Sequence, residues 1–168
     1  MNRKNKIYNN KKQAKGKILF FETKTDETAY NPSKPFEING KKYILIRIEN
    51  IKKNSSRVYP YVLIKKNWKR IEWKLSNLEL EDPAITIINN KLLVSFVRVI
   101  DKTNKNKWVI KTEFYYGKNL FSLKKIAEGQ IGIKDIRLVQ INKNKIGIFT
   151  RSRNSKTKKA RIYYFEIN

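Results

Sequence analysis

One stretch of the chain reads Asp82-Pro-Ala-Ile-Thr-Ile-Ile-Asn-Asn-Lys-Leu-Leu-Val-Ser-Phe-Val-Arg98. Two runs rich in Ile, Leu and Val flank Asn89-Asn90, and asparagine readily adopts the left-handed backbone that a tight hairpin turn needs. Short, mostly alternating apolar runs bounded by polar clusters are typical of β-strands. The stretch therefore predicts a β-hairpin.

The same hairpin pattern occurs three times along the chain. Asn31 and Asp135 open the other two copies, whose turns fall at Asn39-Gly40 and at residues 142–144. In every copy an arginine follows the opening Asn or Asp by sixteen residues, and the copies start 51 and then 53 residues apart. A period of about 50 residues matches one four-stranded blade of a β-propeller.

Further strands are predicted between the hairpins. No segment keeps apolar residues at helical spacing over three turns. We therefore predict an all-β fold, a partial β-propeller of about three four-stranded blades, whereas closed propellers have about four to eight blades. The additional strands are predicted at residues 58–64 with 68–73, at 108–116 with 121–126, and at 161–165.

The chain is predicted to hold a leader and one domain. Residues 1–16 are polar and basic without a period, which indicates a basic flexible leader. Residues 17–168 are predicted to form a single β-propeller-type domain with repeats starting near 31, 82 and 135. Because three blades do not close a ring, we expect either that the chain is a fragment of a larger ring or that another chain completes it, by self-association or as a separate polypeptide.

The composition excludes several kinds of chemistry. The chain has no cysteine and no histidine, so disulfides, Cys-ligated metals and Cys or His catalysis are excluded, and we predict no metal and no cofactor. The apolar run at residues 18–21 is far too short for a signal-peptide core or a membrane span. We therefore predict a cytoplasmic protein with no membrane partner.

The charge raises the question of a nucleic-acid partner. Thirty-nine basic and fourteen acidic residues give a formal charge of +25, and neutralisation of phosphates supplies most non-specific nucleic-acid affinity. Apart from residues 1–21 and 151–161, however, the charges are scattered, as on solvated faces. The pattern argues against a nucleic-acid partner, and a basic nucleic-acid-binding module is kept as an alternative.

Six short motifs resemble, in order over about residues 20–167, a bacterial family of unknown function built as five-bladed propellers. That family is similar to the mannoside phosphorylases and hydrolases of glycoside hydrolase family 130. The resemblance implies five blades around a central funnel with a sugar site, about two blades missing from the C-terminal side, and glycoside hydrolase or phosphorylase-like activity on mannoside-type sugars. The motifs are Tyr30-Asn-Pro-Ser-Lys-Pro-Phe36, Arg47-Ile-Glu49, Glu81-Asp-Pro83, Thr112-Glu-Phe-Tyr-Tyr-Gly117, Lys134-Asp-Ile-Arg-Leu138 and Phe149-Thr-Arg151.

The resemblance also implies site residues. The Glu-Asp-Pro motif places the general acid at Asp82, and glycoside cleavage needs a second carboxylate, for which Asp135 and Glu49 are the candidates. Ala84 stands where those enzymes usually have arginine, which counts against phosphorolysis, as does the lack of histidine. The candidate substrate-binding residues are Asn31, Arg47, Arg98, Lys134, Arg137 and Arg151.

A structural interpretation of the same residues is also open. Each hairpin sets its opening residue nearly opposite its arginine, and Asn31 cannot act as an acid. Glu81 is predicted to point away from Asp82, to the other face of its strand. The chain is then a non-catalytic or degenerate glycan-binding fragment, with bridges inside each blade between Asn31 and Arg47, Asp82 and Arg98, and Asp135 and Arg151.

Overall fold

The computed structural model describes residues 19–103, 108–153 and 160–167. The predicted leader, residues 1–16, lies outside the described residues. Within this part of the chain, the strands form three antiparallel sheets, and the one helical element is a single turn of 3-10 helix, Leu120–Ser122. The all-β prediction is confirmed.

The first sheet is built around one long central strand. Its strands are β1 (Glu27–Tyr30), β2 (Phe36–Ile38), β3 (Lys41–Asn50), β4 (Ser55–Ile64) and β5 (Asn67–Arg70). β4 pairs along one edge of β3, while β2 and then β1 share the other edge. β5 closes the sheet against β4.

The second sheet is a four-stranded meander. Its strands are β6 (Leu80–Ile88), β7 (Lys91–Asp101), β8 (Val109–Gly117) and β9 (Lys124–Glu128), each paired with the next. Phe121, predicted to begin an outer strand, lies instead in the 3-10 turn. The cause is local, because the side chain of Asn119 caps this turn and accepts hydrogen bonds from two of its backbone amides.

The third sheet has three strands within the described residues. They are β10 (Lys134–Asn142), β11 (Lys145–Arg153) and β12 (Ala160–Ile167), in sequence order. The prediction of four strands per blade thus fits the second sheet but not this one.

The hairpin turns agree with two of the three predictions. Asn39 and Gly40 have φ of 50° and 70°, and Asn89 and Asn90 have φ of 48° and 58°, as a two-residue turn of the left-handed type requires. The third turn is stabilised by a side-chain hydrogen bond instead. No residue of 142–144 has a positive φ, and the Oδ1 of the first accepts a hydrogen bond of 2.9 Å from the backbone amide of the third.

The sheets pack face to face in chain order. Between the first and second sheets, Leu45 and Val58 belong to the same buried cluster as Leu80 and Phe96. Between the second and third sheets, a smaller cluster of Ile88, Leu93 and Phe114 packs on side chains of β10 and β11. Because burying apolar area is the main stabilising term, these two interfaces hold the three sheets together in chain order.

Candidate functional site

The three residues that open the repeats share an unusual backbone conformation. Asn31, Asp82 and Asp135 have φ of 39°, 47° and 59°. Among residues with a Cβ atom, Asn and Asp adopt this left-handed region most readily, which explains the residue type found at each position. A residue in this conformation interrupts the strand ladder, and the register shifts between Glu81 and Ala84 and between Lys134 and Arg137.

These three residues line one open depression of about 340 Å³, hereafter the central depression. It brings together six of the nine site residues predicted from the sequence. Glu49, Arg47 and Arg98 do not line it. The complete lining is Asn31, Pro32, Asp82, Pro83, Lys134, Asp135, Arg137 and Arg151.

The side chain of Asp82 is held from the first sheet. Its Oδ1 accepts hydrogen bonds from Asn31 Nδ2 at 2.6 Å and from Arg47 Nη1 at 3.2 Å. Its backbone carbonyl accepts one from Arg137 Nη1 of the third sheet, at 3.2 Å. Within residues 19–103, 108–153 and 160–167, Oδ2 makes no hydrogen bond. Asp82 therefore has one fixed and one available oxygen, with its side chain only 12% exposed.

Arg47 is the centre of a buried ionic cluster. Its Nε donates to Ser56 Oγ at 2.9 Å, and its Nη2 donates to Glu81 Oε1 at 2.9 Å and also to Glu49. Together with Asp82, three acidic side chains thus contact one guanidinium group. A guanidinium presents its donors in a rigid planar fork, so this arrangement fixes all three carboxylates. We call these four residues the Arg47 cluster.

The environment of Glu81 shifts the pKa of its carboxyl group. Burial raises the pKa of its carboxyl, the adjacent charge of Asp82 raises it further, and Arg47 opposes the rise. Glu81 and Glu49 line a second depression, of about 180 Å³, rather than the central one. The prediction that Glu81 faces away from Asp82 agrees with this lining, but its contact with Arg47 could not be foreseen from strand alternation.

Asp135 shows the arrangement that the structural interpretation predicted. Arg151 Nη2 lies 2.5 Å from Asp135 Oδ2 within the same sheet, and Arg137 Nη2 lies 3.7 Å from Oδ1. The third repeat therefore contains the predicted bridge between its opening residue and its arginine.

The bridges predicted inside the first two repeats are wrong. Asn31 donates to Asp82 of the next sheet, and Arg47 also reaches that residue. Arg98 lies opposite Leu80, and its Nη1 donates to the carbonyl of Glu79 at 3.3 Å. The third repeat has a register shift at the same place and keeps its bridge, so the difference lies in the partners: Asn31 and Arg47 of the first sheet both reach Asp82.

The central depression combines carboxylates with cations and contains no aromatic lining residue. Such a set can hydrogen-bond sugar hydroxyls or hold a small anion, and its acidic groups can exchange protons. The part of the chain that the structure describes contains no group of three or more metal-ligating side chains. In the same part, no helix has the length and apolar character needed to cross a membrane.

Several solved structures resemble the chain. MPT-4, a mannose phosphorylase from Leishmania mexicana solved in complex with phosphate ion, is 27% identical with a TM-score of 0.77, and the match covers 90% of this chain and 46% of that one. MPT-1, a GDP-Man-dependent mannosyltransferase from the same organism, is 27% identical with a TM-score of 0.70, covering 88% and 46%. The chain spans about half the length of these structures.

A more distant structure supports the fold alone. Zg3597, a family 117 glycoside hydrolase from the marine bacterium Zobellia galactanivorans, is 12% identical with a TM-score of 0.64, and the match covers 89% of this chain and 56% of that one. With these matches, the three sheets are blades of a partial β-propeller, as predicted.

A comparison with curated proteins finds no match. A family model matches residues 5–168, and the chain belongs to that family, described as "Protein of unknown function (DUF1861)".

Proposed function

We propose that the protein is a glycan-active propeller, a glycoside hydrolase or phosphorylase-like enzyme for mannoside-type sugars, with Asp82 as its general acid. The observation that carries the proposal is the geometry of Asp82, whose Oδ1 has two donors while Oδ2 has none in the described chain. The mannose phosphorylase and the mannosyltransferase that the chain resembles support the substrate class.

The mechanism assigns different roles to the two carboxylates of the central depression. Asn31 and Arg47 hold Oδ1 of Asp82, so a proton on Oδ2 has a defined position from which it can pass to the glycosidic oxygen of the leaving group. Asp135, held by Arg151, is the candidate base that accepts a proton from the incoming nucleophile. Lys134 and Arg137 line the same depression and can hold sugar hydroxyls or an anion.

The nucleophile is either water or phosphate. Ala84 and the lack of histidine favour water, whereas the cations of the central depression favour an anion. Incubation of mannosyl disaccharides with and without phosphate separates the two, because only phosphorolysis forms mannose 1-phosphate, whereas hydrolysis releases both sugars in free form without phosphate. The proposal of a glycan-active enzyme is wrong if neither product forms from a panel of α- and β-mannosides.

Asp82→Asn tests the assignment of the acid. The amide keeps the shape of the side chain but cannot supply the proton, so we expect the rate to fall by about 10²–10⁴-fold. Asp26→Asn is the matched control, since that carboxylate is 38% exposed and pairs with Lys52 away from the central depression. Equal rates for the Asp82 variant and the wild type, with thermal melting unchanged, would assign Asp82 a structural role.

A non-catalytic glycan-binding protein is the second candidate. The observation in its favour is that the arginines of the site are already paired, Arg47 with the Arg47 cluster and Arg137 and Arg151 with Asp135. Such a site can bind sugar hydroxyls without transferring protons. Calorimetric binding of a mannoside without any turnover would favour this candidate.

Association of the chain remains a proposal that the third blade supports. One face of this sheet carries exposed apolar side chains, with Phe149 41%, Tyr164 46% and Ile162 74% exposed in the single chain. A patch of this kind favours contact with a further blade, from a second copy or a separate polypeptide. Sedimentation at several concentrations tests it, and a monomer at all concentrations would refute self-association.

A further inference from the structure

The turns at one end of the sheets form a surface rich in lysine. Where antiparallel strands follow one another along a sheet, alternate turns lie at the same end. The first and second sheets therefore each place two turns at this end, and the third sheet places one there. We call these five turns together the lysine face, and they lie at residues 38–41, 64–67, 88–91, 117–124 and 142–145.

The packing of the sheets brings the five turns to one side of the molecule. Arg47, near the end of β3, contacts Asp82, near the start of β6, so β3 starts at the end of the molecule where β6 finishes. Asn89, in the turn after β6, exchanges two hydrogen bonds of 3.2 and 3.1 Å with Gln140, near the end of β10. The lysine face therefore spans the three blades, at the opposite end of the sheets from the central depression.

The charge on this face has one sign. Its five turns contain eight lysines and no acidic residue. At the opposite end of the sheets both signs occur, since the segment 71–79 contains Glu72 and Glu79 and the central depression contains two aspartates. Among the eight lysines, only Lys145 forms an ion pair with a residue that the structure describes, Glu166. Lysines that are scattered along the sequence are thus brought together by the fold. They are Lys41, Lys65, Lys66, Lys91, Lys118, Lys124, Lys143 and Lys145.

Turn geometry does not explain these lysines, and exposed apolar side chains lie among them. Lys65 has φ of 56°, a left-handed conformation that asparagine or glycine adopts more readily. Phe121 is 61% exposed and lies in the turn between Lys118 and Lys124. Ile64, directly before Lys65, is 52% exposed. Basic side chains beside exposed apolar ones are typical of surfaces that bind anionic lipids.

We propose that the lysine face binds the surface of a membrane that contains anionic lipids. The lysines are attracted to the head groups, while Phe121 and Ile64 enter the boundary between head groups and acyl chains. Lysines on five separate turns present point charges over a broad face, which suits an extended surface, whereas single-stranded nucleic acids are held in a basic groove with aromatic stacking platforms. The prediction of no membrane partner rested on the lack of a spanning segment, which this contact does not need. The proposal is independent of the glycan activity proposed for the central depression.

The test is co-sedimentation of the full chain with phosphatidylcholine vesicles that contain or lack phosphatidylglycerol. We expect binding to the anionic vesicles alone, and weaker binding as the salt concentration rises, because salt screens the attraction. The combined variant Lys65→Gln, Lys66→Gln and Lys118→Gln should bind about a hundredfold more weakly, since each lysine near an anionic surface strengthens binding about fivefold.

Matched variants separate the lysine face from the net charge. Lys24→Gln, Lys52→Gln and Lys53→Gln together change the net charge equally at the opposite end of the first sheet, and this variant should keep most of the binding. The basic residues 1–17 are the same in both triple variants, so their contribution cancels. Phe121→Ala should weaken binding about tenfold through the lost apolar contact. Ile131→Ala, at a 64% exposed position between β9 and β10, should leave binding unchanged.

Three outcomes would overturn the proposal. Equal losses for the two triple variants would show that net charge alone attracts the chain. Equal binding to vesicles with and without phosphatidylglycerol, or no binding to either at low salt, would show that the face does not recognise anionic lipid. Tighter binding of a short duplex DNA or RNA than of the vesicles, lost in the variant of Lys65, Lys66 and Lys118, would assign the face to a nucleic acid instead.

Discussion

Replacing each repeat arginine with methionine should produce losses of stability that depend on burial. Arg47, Arg98 and Arg151 occupy equivalent positions in the sequence repeat, but the structure gives them different surroundings. Methionine keeps the length of the side chain and removes its charge and donors. The three variants therefore compare the same chemical change at three levels of burial.

The largest loss is expected for Arg47→Met. Arg47 is 15% exposed, and its partners Glu81 and Asp82 are 8% and 12% exposed, so its removal leaves carboxylates buried without a cation. Breaking a buried ion pair in this way costs about 3–5 kcal/mol. For a chain of this size, 1 kcal/mol corresponds to about 2–4 °C, so the melting temperature should fall by roughly 6–20 °C.

The other two variants serve as controls. Arg98→Met loses a hydrogen bond to a single carbonyl, worth about 0.5–1.5 kcal/mol. Arg151 is 45% exposed, so its pair with Asp135 is screened by solvent and should contribute no more than about 1 kcal/mol. Urea unfolding followed by circular dichroism measures all three values.

The dependence on pH gives a second check of the same reasoning. Burial already raises the pKa of Glu81 above its ordinary value of 4.5, and removing Arg47 removes the charge that opposes the rise. In the folded variant the Glu81 carboxyl then binds a proton more readily than it does in the unfolded chain. The loss of stability caused by Arg47→Met should therefore shrink as the pH falls toward 4.5. A loss for Arg47→Met no larger than that for Arg151→Met at neutral pH would refute the idea of a buried cluster.

Three further predictions concern single side chains. Because burial raises the pKa of Glu81, the wild type should lose stability relative to Glu81→Gln as the pH rises from about 4.5 through the raised pKa, which urea unfolding at a series of pH values measures. Trp73→Phe removes the 2.8 Å hydrogen bond from the indole nitrogen to the buried carbonyl of Val58 and should cost about 1–3 kcal/mol by the same method. Gly117→Ala places a Cβ 2.6 Å from the backbone oxygen of Ser122 and should cost about 1–3 kcal/mol, seen as a lower melting temperature.

Local features of the chain were predictable from the sequence. Alternating apolar runs gave the strands, and Asn39-Gly40 and Asn89-Asn90 gave two hairpin turns, because turn chemistry depends on residues that adjoin in sequence. The repeat of Asn31, Asp82 and Asp135 correctly singled out three equivalent backbone positions, which all have a positive φ. Four of the eight residues that line the central depression belong to that repeat, and the family resemblance implied Lys134 and Arg137.

The sequence by itself therefore determined the all-β class, the repeat and the residues that open each blade. The bridge between Asp135 and Arg151 was also predicted, but only the tertiary structure decided that Asn31 and Arg47 both contact Asp82. Asp82 contacts Arg47 of the neighbouring blade rather than Arg98 of its own, whereas the third repeat, with a register shift at the same place, keeps its own bridge. Contacts between blades depend on packing between segments distant in sequence, and a register shift of one residue reverses the direction of a side chain, so no local pattern encodes them.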